Sequence, residues 1–361
     1  MYQIAIFIDS LAGGGAEKVA MTLARAMQVL GHQITMFVLN RSGQYDAPES
    51  LPIVYLNQNS QQKSKGWFNR KSGAYKLQAL VEEEQSLNGM FDLFLVNLEE
   101  SYRIVSACNF TPCFYIIHNS LEETLARTKK LGPAKYFYLK NILRKLNNKQ
   151  LIAVSHGVAR ELADSTLFNA ASIKTIYNPF DINKIQNLSE QYNKDIPKGR
   201  YIIHVGRFAK QKRHDILFSA MAKIPVEYKL VCLCKHSNKL TRMIDKFGMQ
   251  SRVVVTGFVQ NPYNWIKQAE LLVLSSDFEG LPTVLIEALI CGTPVVSTDC
   301  PHGPSEIMTG ELSNYLVPSN DPEKLVGKIN QALREAIDIQ NAEVLHKIPA
   351  ESIAKQYLSL I

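Results

Sequence analysis

Residues 271–297 read LLVLSSDFEGLPTVLIEALICGTPVVS. The apolar run Leu271 to Leu274 has the length and composition of a buried strand. Gly280 permits a tight turn, Pro282 suits the first turn of a helix, and Gly292 closes that helix before a second apolar run, Pro294 to Ser297. A strand, a loop, a helix and a further strand in that order make the repeating unit of a parallel α/β sheet. The helix is apolar on nearly all sides, because Val284, Leu285, Ile286, Ala288, Leu289 and Ile290 surround its one charge, Glu287. A carboxylate desolvated in this way needs a partner. A second one, Glu279, stands eight positions earlier in the loop.

The same alternation runs outward in both directions. Ile4 to Ile8, a helix from about Ala16 to Leu30, and Ile34 to Leu39 form a βαβ opening. Phe94 to Val96, Phe114 to Ile117, Leu151 to Val154 and Ile173 to Tyr177 continue it as short buried strands. After Asn178-Pro179 comes a polar segment, Asp181 to Arg200, which reads as a linker. A second alternation follows with Tyr201 to Val205, Lys229 to Leu233, Arg252 to Thr256, Leu271 to Leu274 and Pro294 to Ser297. A chain of 361 residues exceeds the roughly 250–300 that one core supports, so two domains are expected. Each is a doubly wound, Rossmann-like parallel sheet. Ligands in such sheets bind beyond the C-terminal strand ends, which predicts a site in a central crevice between the halves.

Composition narrows the class. Hydrophobic residues make up 46%, an ordinary globular share, and no stretch reaches the roughly 18 uninterrupted apolar residues of a membrane span. The Ile4 to Ile8 run meets Asp9 without a basic leader, so secretion is not expected. Cys108, Cys113, Cys232, Cys234, Cys291 and Cys300 lack CxxC spacing and suit reduced core thiols, hence a cytoplasmic location. The net charge of +7 is unevenly spread. Arg127, Lys129, Lys130, Lys135, Lys140, Arg144, Lys145 and Lys149 form an acid-free run interleaved with Tyr136, Phe137 and Tyr138. Lys63, Lys65, Arg70, Lys71 and Lys76 flank Trp67 and Phe68. Cations beside aromatics suit an anionic membrane surface, with Lys129, Lys130, Arg144 and Lys145 as the expected contacts. Nucleic acid is the competing partner, and a merely solvated helix face the third reading.

Chemistry gathers at strand ends. Tyr201 to Val205 leads into Gly206-Arg207-Phe-Ala-Lys210-Gln-Lys212-Arg213, where cations emerge beside a glycine and can hold a diphosphate. Arg207 offers a bidentate fork and Lys212 a point charge. Two nearby carboxylates would repel that diphosphate unless these cations intervene, and the start of the Pro282 helix offers free N–H groups to a phosphate. Gly13-Gly14-Gly15-Ala16-Glu17 opens the first helix either as a phosphate cradle or as a tight strand-to-helix turn, and it is neither a Walker loop nor GxGxxG. His118 follows an apolar strand, where a side chain should face the crevice. Asp277-Phe-Glu279 lacks further ligands, so no metal is inferred, and Ser155-His156 lacks the G-x-S-x-G elbow of hydrolases.

Gly206-Arg207 with Lys212, Glu279-Gly-Leu-Pro-Thr with Glu287, and Gly292-Thr-Pro-Val-Val together resemble the retaining nucleotide-sugar glycosyltransferases of family 4, which have the GT-B fold. Gly13-Gly-Gly-Ala-Glu, Ala153-Val-Ser155, Asn178-Pro179, Gly257-Phe-Val259, Pro301-His-Gly-Pro-Ser-Glu306-Ile and Leu316-Val-Pro-Ser-Asn-Asp-Pro-Glu-Lys-Leu extend the likeness over nearly the whole chain. It implies an acceptor-binding domain over 1–180, a linker over 181–200 and a nucleotide-sugar domain over 201–345. A terminal helix within 346–361, about Pro349 to Leu360, is expected to cross back onto the first domain.

Roles follow at matching positions. The resemblance implies that Arg207 and Lys212 bind the donor diphosphate, Glu279 contacts the transferred sugar, and Glu287 accepts from the ribose. Gly206, Gly280, Leu281, Pro282 and Thr283 would line the donor site, with backbone near Phe258 and Val259 reading the base. Gly14 and Gly15 would let the acceptor side approach the reacting centre, and His118 would lie beside the sugar. The family often has Gly-acid-Gly where this chain has Cys234-Lys235-His236. The implied reaction moves a hexose or N-acetylhexosamine from a UDP-sugar, with retention and without metal or further cofactor, to a glycan or lipid-linked acceptor in bacterial surface polysaccharide synthesis. Peripheral attachment to the inner membrane is expected, and binding to nucleic acid is not. Two alternatives stand beside it, a UDP-N-acetylhexosamine epimerase of the same architecture and a non-catalytic membrane scaffold.

Overall fold

The computed structural model describes residues 1–41, 50–57, 70–339 and 341–361. Lys63, Lys65, Trp67 and Phe68 of the second basic cluster lie outside the described residues. The chain divides into two compact units, one of Met1–Phe180 with Ile348–Ile361 and one of Asp181–Lys347.

The first unit holds a seven-stranded sheet. Its strands are β1 (Gln3–Ile8), β2 (Gln33–Asn40), β3 (Ile53–Asn57), β4 (Leu93–Asn97), β5 (Cys113–Ile117), β6 (Gln150–Ala153) and β7 (Ser172–Thr175). Their order is β3-β2-β1-β4-β5-β6-β7, and every pairing is parallel. Order reverses between β1 and β4, so the open crevice of this sheet lies at their C-terminal ends. Ile4 to Ile8 are wholly buried, as a strand covered on both faces must be. Phe7 stacks on Phe37 and Phe110, with ring centroids 5.2 and 5.5 Å apart. The terminal helix Ala350–Leu358 packs on the first helix, Gly15–Val29, and buries Ile353, Ala354 and Tyr357. Its entry is pinned by Phe180 N–H donating to Ile348 O at 2.9 Å and Ala350 N–H donating to Phe180 O at 3.0 Å.

The second unit holds a six-stranded sheet of β8 (Tyr201–Val205), β9 (Lys229–Leu233), β10 (Val253–Val255), β11 (Leu271–Leu274), β12 (Val295–Thr298) and β13 (Leu316–Val317). Its order, β10-β9-β8-β11-β12-β13, is again parallel throughout and reverses between β8 and β11. The helix expected from Pro282 runs over Thr283–Cys291 and ends at Gly292, whose φ of 81° places it in the left-handed region that glycine tolerates. Residues 181–200, which read as a linker, contain the helix Ile182–Ser189. Asp181 caps it by accepting from Lys184 N–H at 3.0 Å, and it buries Ile185 and Ser189. Asn261 and Asn264 donate to the carbonyls of Leu188 and Gln191, at 2.8 and 3.1 Å, and so stitch the backbone of this segment to the second unit. None of the cysteines is in a disulfide among the described residues.

Candidate active site

The reversal point of the second sheet brings together the two stretches singled out for chemistry. Beyond β8 the chain passes Gly206 and the exposed Arg207, makes a 3-10 turn over Lys210–Lys212, and reaches Arg213 with a φ of 46°. Beyond β11 it runs through Ser275 to Glu279. Backbone and side-chain bonds join the loops rung by rung. Ser275 Oγ donates to Lys212 O at 2.7 Å, Asp277 N–H to Gln211 O at 2.8 Å, and Gln211 Nε2 to Phe278 O at 2.7 Å. The ladder fixes Lys212 opposite Glu279, whose Oε1 accepts from its Nζ at 2.6 Å. Both side chains are largely buried, at 17% and 10% exposure. Such a pair in a partly dry setting interacts far more strongly than one in water.

Gly206 makes room for the lysine. A Cβ there would lie 3.3 Å from Lys212 Cε and 3.5 Å from His204 Nε2. Beneath the lysine stem His204 and His214 meet edge to face, with centroids 4.7 Å apart. Burial, His214 and the Lys212 ammonium hold His204 well below the usual histidine range, and burial with Lys212 pushes His214 down to about 4. Both rings are therefore neutral near pH 7 and add no charge beneath the cation. Sequence reading missed them, although a histidine inside the apolar run Tyr201 to Val205 was the available signal.

Of the cations counted at this strand end, Arg213 is already engaged. It donates to Asp215 and Asp277 at 2.9 and 2.8 Å and also bonds Asn320. Of the pair named for a diphosphate, Lys212 is held by Glu279 and Arg207 is exposed in the same loop. Glu279 is held from its other side as well, since its N–H donates to Pro301 O at 2.6 Å and its carbonyl accepts from His302 N–H at 3.3 Å. Gly303, at φ 95°, closes this turn, because a Cβ there would fall 2.5 Å from Pro282 Cδ and 2.8 Å from Gly280 O. Gly280, Leu281 and Pro282 are buried, Thr283 is half-buried at the helix start, and Glu287 is 4% exposed one turn further on. At the ends of β9 and β10, Gly257 N–H donates to Cys234 O at 3.1 Å. Phe258 is exposed and Val259 half-buried beside a loop in which Cys234 is buried while Lys235 and His236 are exposed.

The first unit has its own set of groups at its reversal point. Gly13 takes a φ of 92° and Gly14 caps the helix that Gly15 begins. A Cβ on Gly14 would sit 2.3 Å from Glu17 Oε2, so this glycine admits a carboxylate into the turn. His118, half-buried at the end of β5, pairs through Nε2 with Asn97 Oδ1 at 2.8 Å. Leu98 then turns the chain with a φ of 71°, a conformation rare for a branched aliphatic residue and concentrated at functional sites.

Asp9, at the end of β1, was not singled out from the sequence. It accepts from Ser101 N–H and Oγ–H, each at 2.7 Å, and from Glu100 N–H at 3.2 Å, so it caps the helix Glu99–Val105 from another strand. Burial, with the neighbouring Glu99 charge, outweighs those bonds and raises its pKa from 3.8 to about 7. A raised carboxyl pKa favours the folded state most when the group is protonated in both states. Its contribution is thus complete below pH 3.8 and is lost as pH rises through about 7. Denaturant midpoints should fall across that window in the native chain, and Asp9→Asn should flatten the fall.

Comparison with known proteins follows the same division. The model described as "Glycosyltransferase Family 4" matches residues 13–184, and that described as "Glycosyl transferases group 1" matches 199–335. A Campylobacter jejuni N-acetylgalactosamine-N,N'-diacetylbacillosaminyl-diphospho-undecaprenol 4-alpha-N-acetylgalactosaminyltransferase is 24% identical over 372 aligned positions, covering 99% of this chain and 96% of that relative. The lipopolysaccharide 1,6-galactosyltransferase of Salmonella typhimurium is 27% identical over 198 residues, 53% of this chain and 54% of its own length. Among solved structures, Anabaena Alr3699/HepE in complex with UDP and glucose superposes with a TM-score of 0.78 at 19% identity, covering 100% of this chain and 99% of that one. The two matched domains and the two parallel sheets lead to one conclusion: the chain belongs to the glycosyltransferases, with a family 4 domain followed by a group 1 domain on the GT-B fold.

Proposed function

We propose that this glycosyltransferase moves a hexose or N-acetylhexosamine from a UDP-sugar to a hydroxyl of a glycan or lipid-linked acceptor in bacterial surface-glycan synthesis, with retention at the anomeric carbon. The observation that carries the reading is the Lys212–Glu279 pair at the reversal point of the second sheet, in the loop that also carries Arg207. Arg207 and Lys212 take the diphosphate, and the carboxylate beside them accepts from sugar hydroxyls. The bond from the anomeric carbon to the diphosphate breaks and a bond to the acceptor oxygen forms on the same face. The acceptor proton passes to the departing phosphate oxygen. Arg207, Lys212 and the first N–H groups of the Thr283 helix stabilise the charge that builds on the leaving group, the role a metal ion serves elsewhere. The acceptor class is supported by the names of the Campylobacter and Salmonella relatives, and UDP by the Anabaena complex.

The test is product analysis with a panel of UDP-sugars and a lipid-linked acceptor, with and without excess chelator. An α-linked product from an α-linked donor, formed at full rate in chelator, supports the reading. Inversion, or loss of turnover in chelator, refutes retention or metal independence respectively. Accumulation of an epimerised donor without acceptor would replace transfer by epimerisation.

The same proposal puts the enzyme at the cytoplasmic face of the inner membrane, beside a membrane-borne acceptor. No helix among the described residues is long and apolar enough to cross one. The basic run folds into the helices Leu121–Lys129 and Pro133–Leu143; Leu131, at their junction, is 57% exposed and Phe137, within the second helix, is 56% exposed. Lys129, Lys130, Lys135 and Arg144 are exposed with them, while Lys145 is half-buried. An exposed ring and exposed cations along these two helices suit contact with an anionic headgroup layer, where each cation contributes about 1 kcal/mol. Replacing Lys129, Lys130 and Arg144 with Gln should therefore release the protein from phosphatidylserine-containing liposomes in flotation, and unchanged flotation would remove the membrane from the proposal.

A further inference from the structure

Arg213 stands at φ 46° and ψ 51°, in the left-handed region where a side chain crowds its own main chain and glycine does not. Among the described residues of the second unit, Asn320, beyond β13, is the other non-glycine residue with a positive φ, at 65°. The two are bonded to each other, Arg213 Nη1 donating to Asn320 Oδ1. A strained main chain persists where its surroundings over-determine it. Arg213 Nε and Nη2 each donate to Asp215 at 2.9 Å, the two-pronged grip that a planar guanidinium suits. Nη1 is left for Asp277 Oδ1, at 2.8 Å, and for Asn320. One side chain therefore ties together the loops beyond β8, β11 and β13. Asp277 is in turn bonded to the residues before and after Lys212, its N–H donating to Gln211 O at 2.8 Å and its carboxylate accepting from Arg213. The Arg213 carbonyl accepts from Ser275 Oγ at 3.3 Å. Lys212 is thus bracketed, with both neighbours held to the loop that carries Glu279. The Arg213 and Asp277 side chains are 21% and 32% exposed; an isolated pair so placed contributes little, whereas a bidentate network of fixed geometry contributes more.

We infer that Arg213 is a positioning residue and not a ligand of the diphosphate: by holding Asp277 and Asn320 it fixes the main chain around Lys212 and so aims that ammonium at the leaving group. The leaving group in this inference rests on the proposed transferase reading, whereas the clamp rests on bonds within the second unit alone. Glycine would fit this main chain better, so what the arginine adds is its side chain.

Cycles of variants on the full chain test the clamp and its route through Lys212 separately. Arg213→Gly suits the left-handed main chain and removes only the side chain, while Asp277→Ala removes its partner. Each should lower kcat/KM for the UDP-sugar by about tenfold, a small misplacement of the ammonium being enough. In a Lys212→Ala background Arg213→Gly should cost at most about twofold more, because the group it aims is gone. Native turnover in Arg213→Gly overturns the positioning role. So does a full further loss in the Lys212→Ala background, which is the mark of a residue that only supports the fold. Asp277→Ala covers the case in which Arg213→Gly fails to fold: faster turnover, or tighter UDP in calorimetric titration, would mean that a freed Arg213 takes the diphosphate itself, and would overturn the role as well. Denaturant unfolding of Arg213→Gly, Asp277→Ala and the double variant reads the clamp without any reaction. The losses should fall short of adding, since both single variants remove the same bond, and additive losses overturn the clamp whatever the enzyme transfers. A native enzyme that turns over no UDP-sugar overturns the transferase reading and the aim at a leaving group with it, and leaves the clamp standing on the unfolding cycle.

Discussion

Lys212→Ala should lower kcat/KM for the UDP-sugar by about 10²–10³-fold, the usual cost of removing one preorganised donor from a group that gains charge in the transition state. Few cations are placed to substitute. Arg213, next in sequence, is engaged by Asp215 and Asp277. Arg207 is exposed and retains only its own share of the diphosphate. The substitution has a second consequence that a purely catalytic residue would lack. It leaves the Glu279 carboxylate, at 10% side-chain exposure, without its cation, and uncompensated buried charges are destabilising. Denaturant unfolding should therefore show a loss of stability in Lys212→Ala that Lys212→Ala/Glu279→Ala partly recovers, while turnover in the double variant stays as low or lower. Recovery of turnover along with stability would mean that Lys212 serves only to neutralise Glu279, and the diphosphate assignment would fall.

The fold was legible because burial on both faces of a parallel strand writes itself as a continuous apolar run. Ile4 to Ile8 and Leu271 to Leu274 are such runs, and both are fully buried. β3 and β13 were missed. Ile53 to Leu56 is itself an apolar run and was an available signal for β3, an edge strand that is mostly half-buried, whereas β13 has only two residues. Glu279 and Lys212 could each be picked out by local pattern, but their bond spans 67 positions, and the rungs that create it run through Gln211, Ser275 and Asp277, polar residues of ordinary loop type. Asp9 shows the same limit. A carboxylate after a strand usually faces water, and only the placement of the Glu99–Val105 helix beside β1 makes it a half-buried cap. Composition over 181–200 hid a helix because Ile182, Ile185 and Leu188 are spaced for one helix face, with Ile185 buried there and Ile196 buried beyond it.

Glu279→Gln should move catalysis and nucleotide binding in opposite directions. The glutamine keeps the size of the side chain and one accepting oxygen but removes the charge. Hydrogen bonds from sugar hydroxyls to a carboxylate are roughly twice as strong as those to a neutral amide, so kcat/KM for the UDP-sugar should fall by about 10²-fold if several are lost in the transition state. Lys212 meanwhile loses the anion that holds it at 2.6 Å. In the native chain a diphosphate must share this ammonium with Glu279, and the two anions repel one another in a setting where water screens weakly. Without the carboxylate, free UDP becomes the principal anion for Lys212, and its dissociation constant should tighten by about tenfold, or 1.4 kcal/mol. Calorimetric titration with UDP and steady-state turnover of the UDP-sugar on the same preparation read both effects. A merely structural Glu279 would weaken both together. The opposed result would mean that the carboxylate engaging the sugar also weakens the hold on the spent nucleotide, so that one residue serves transfer and product release.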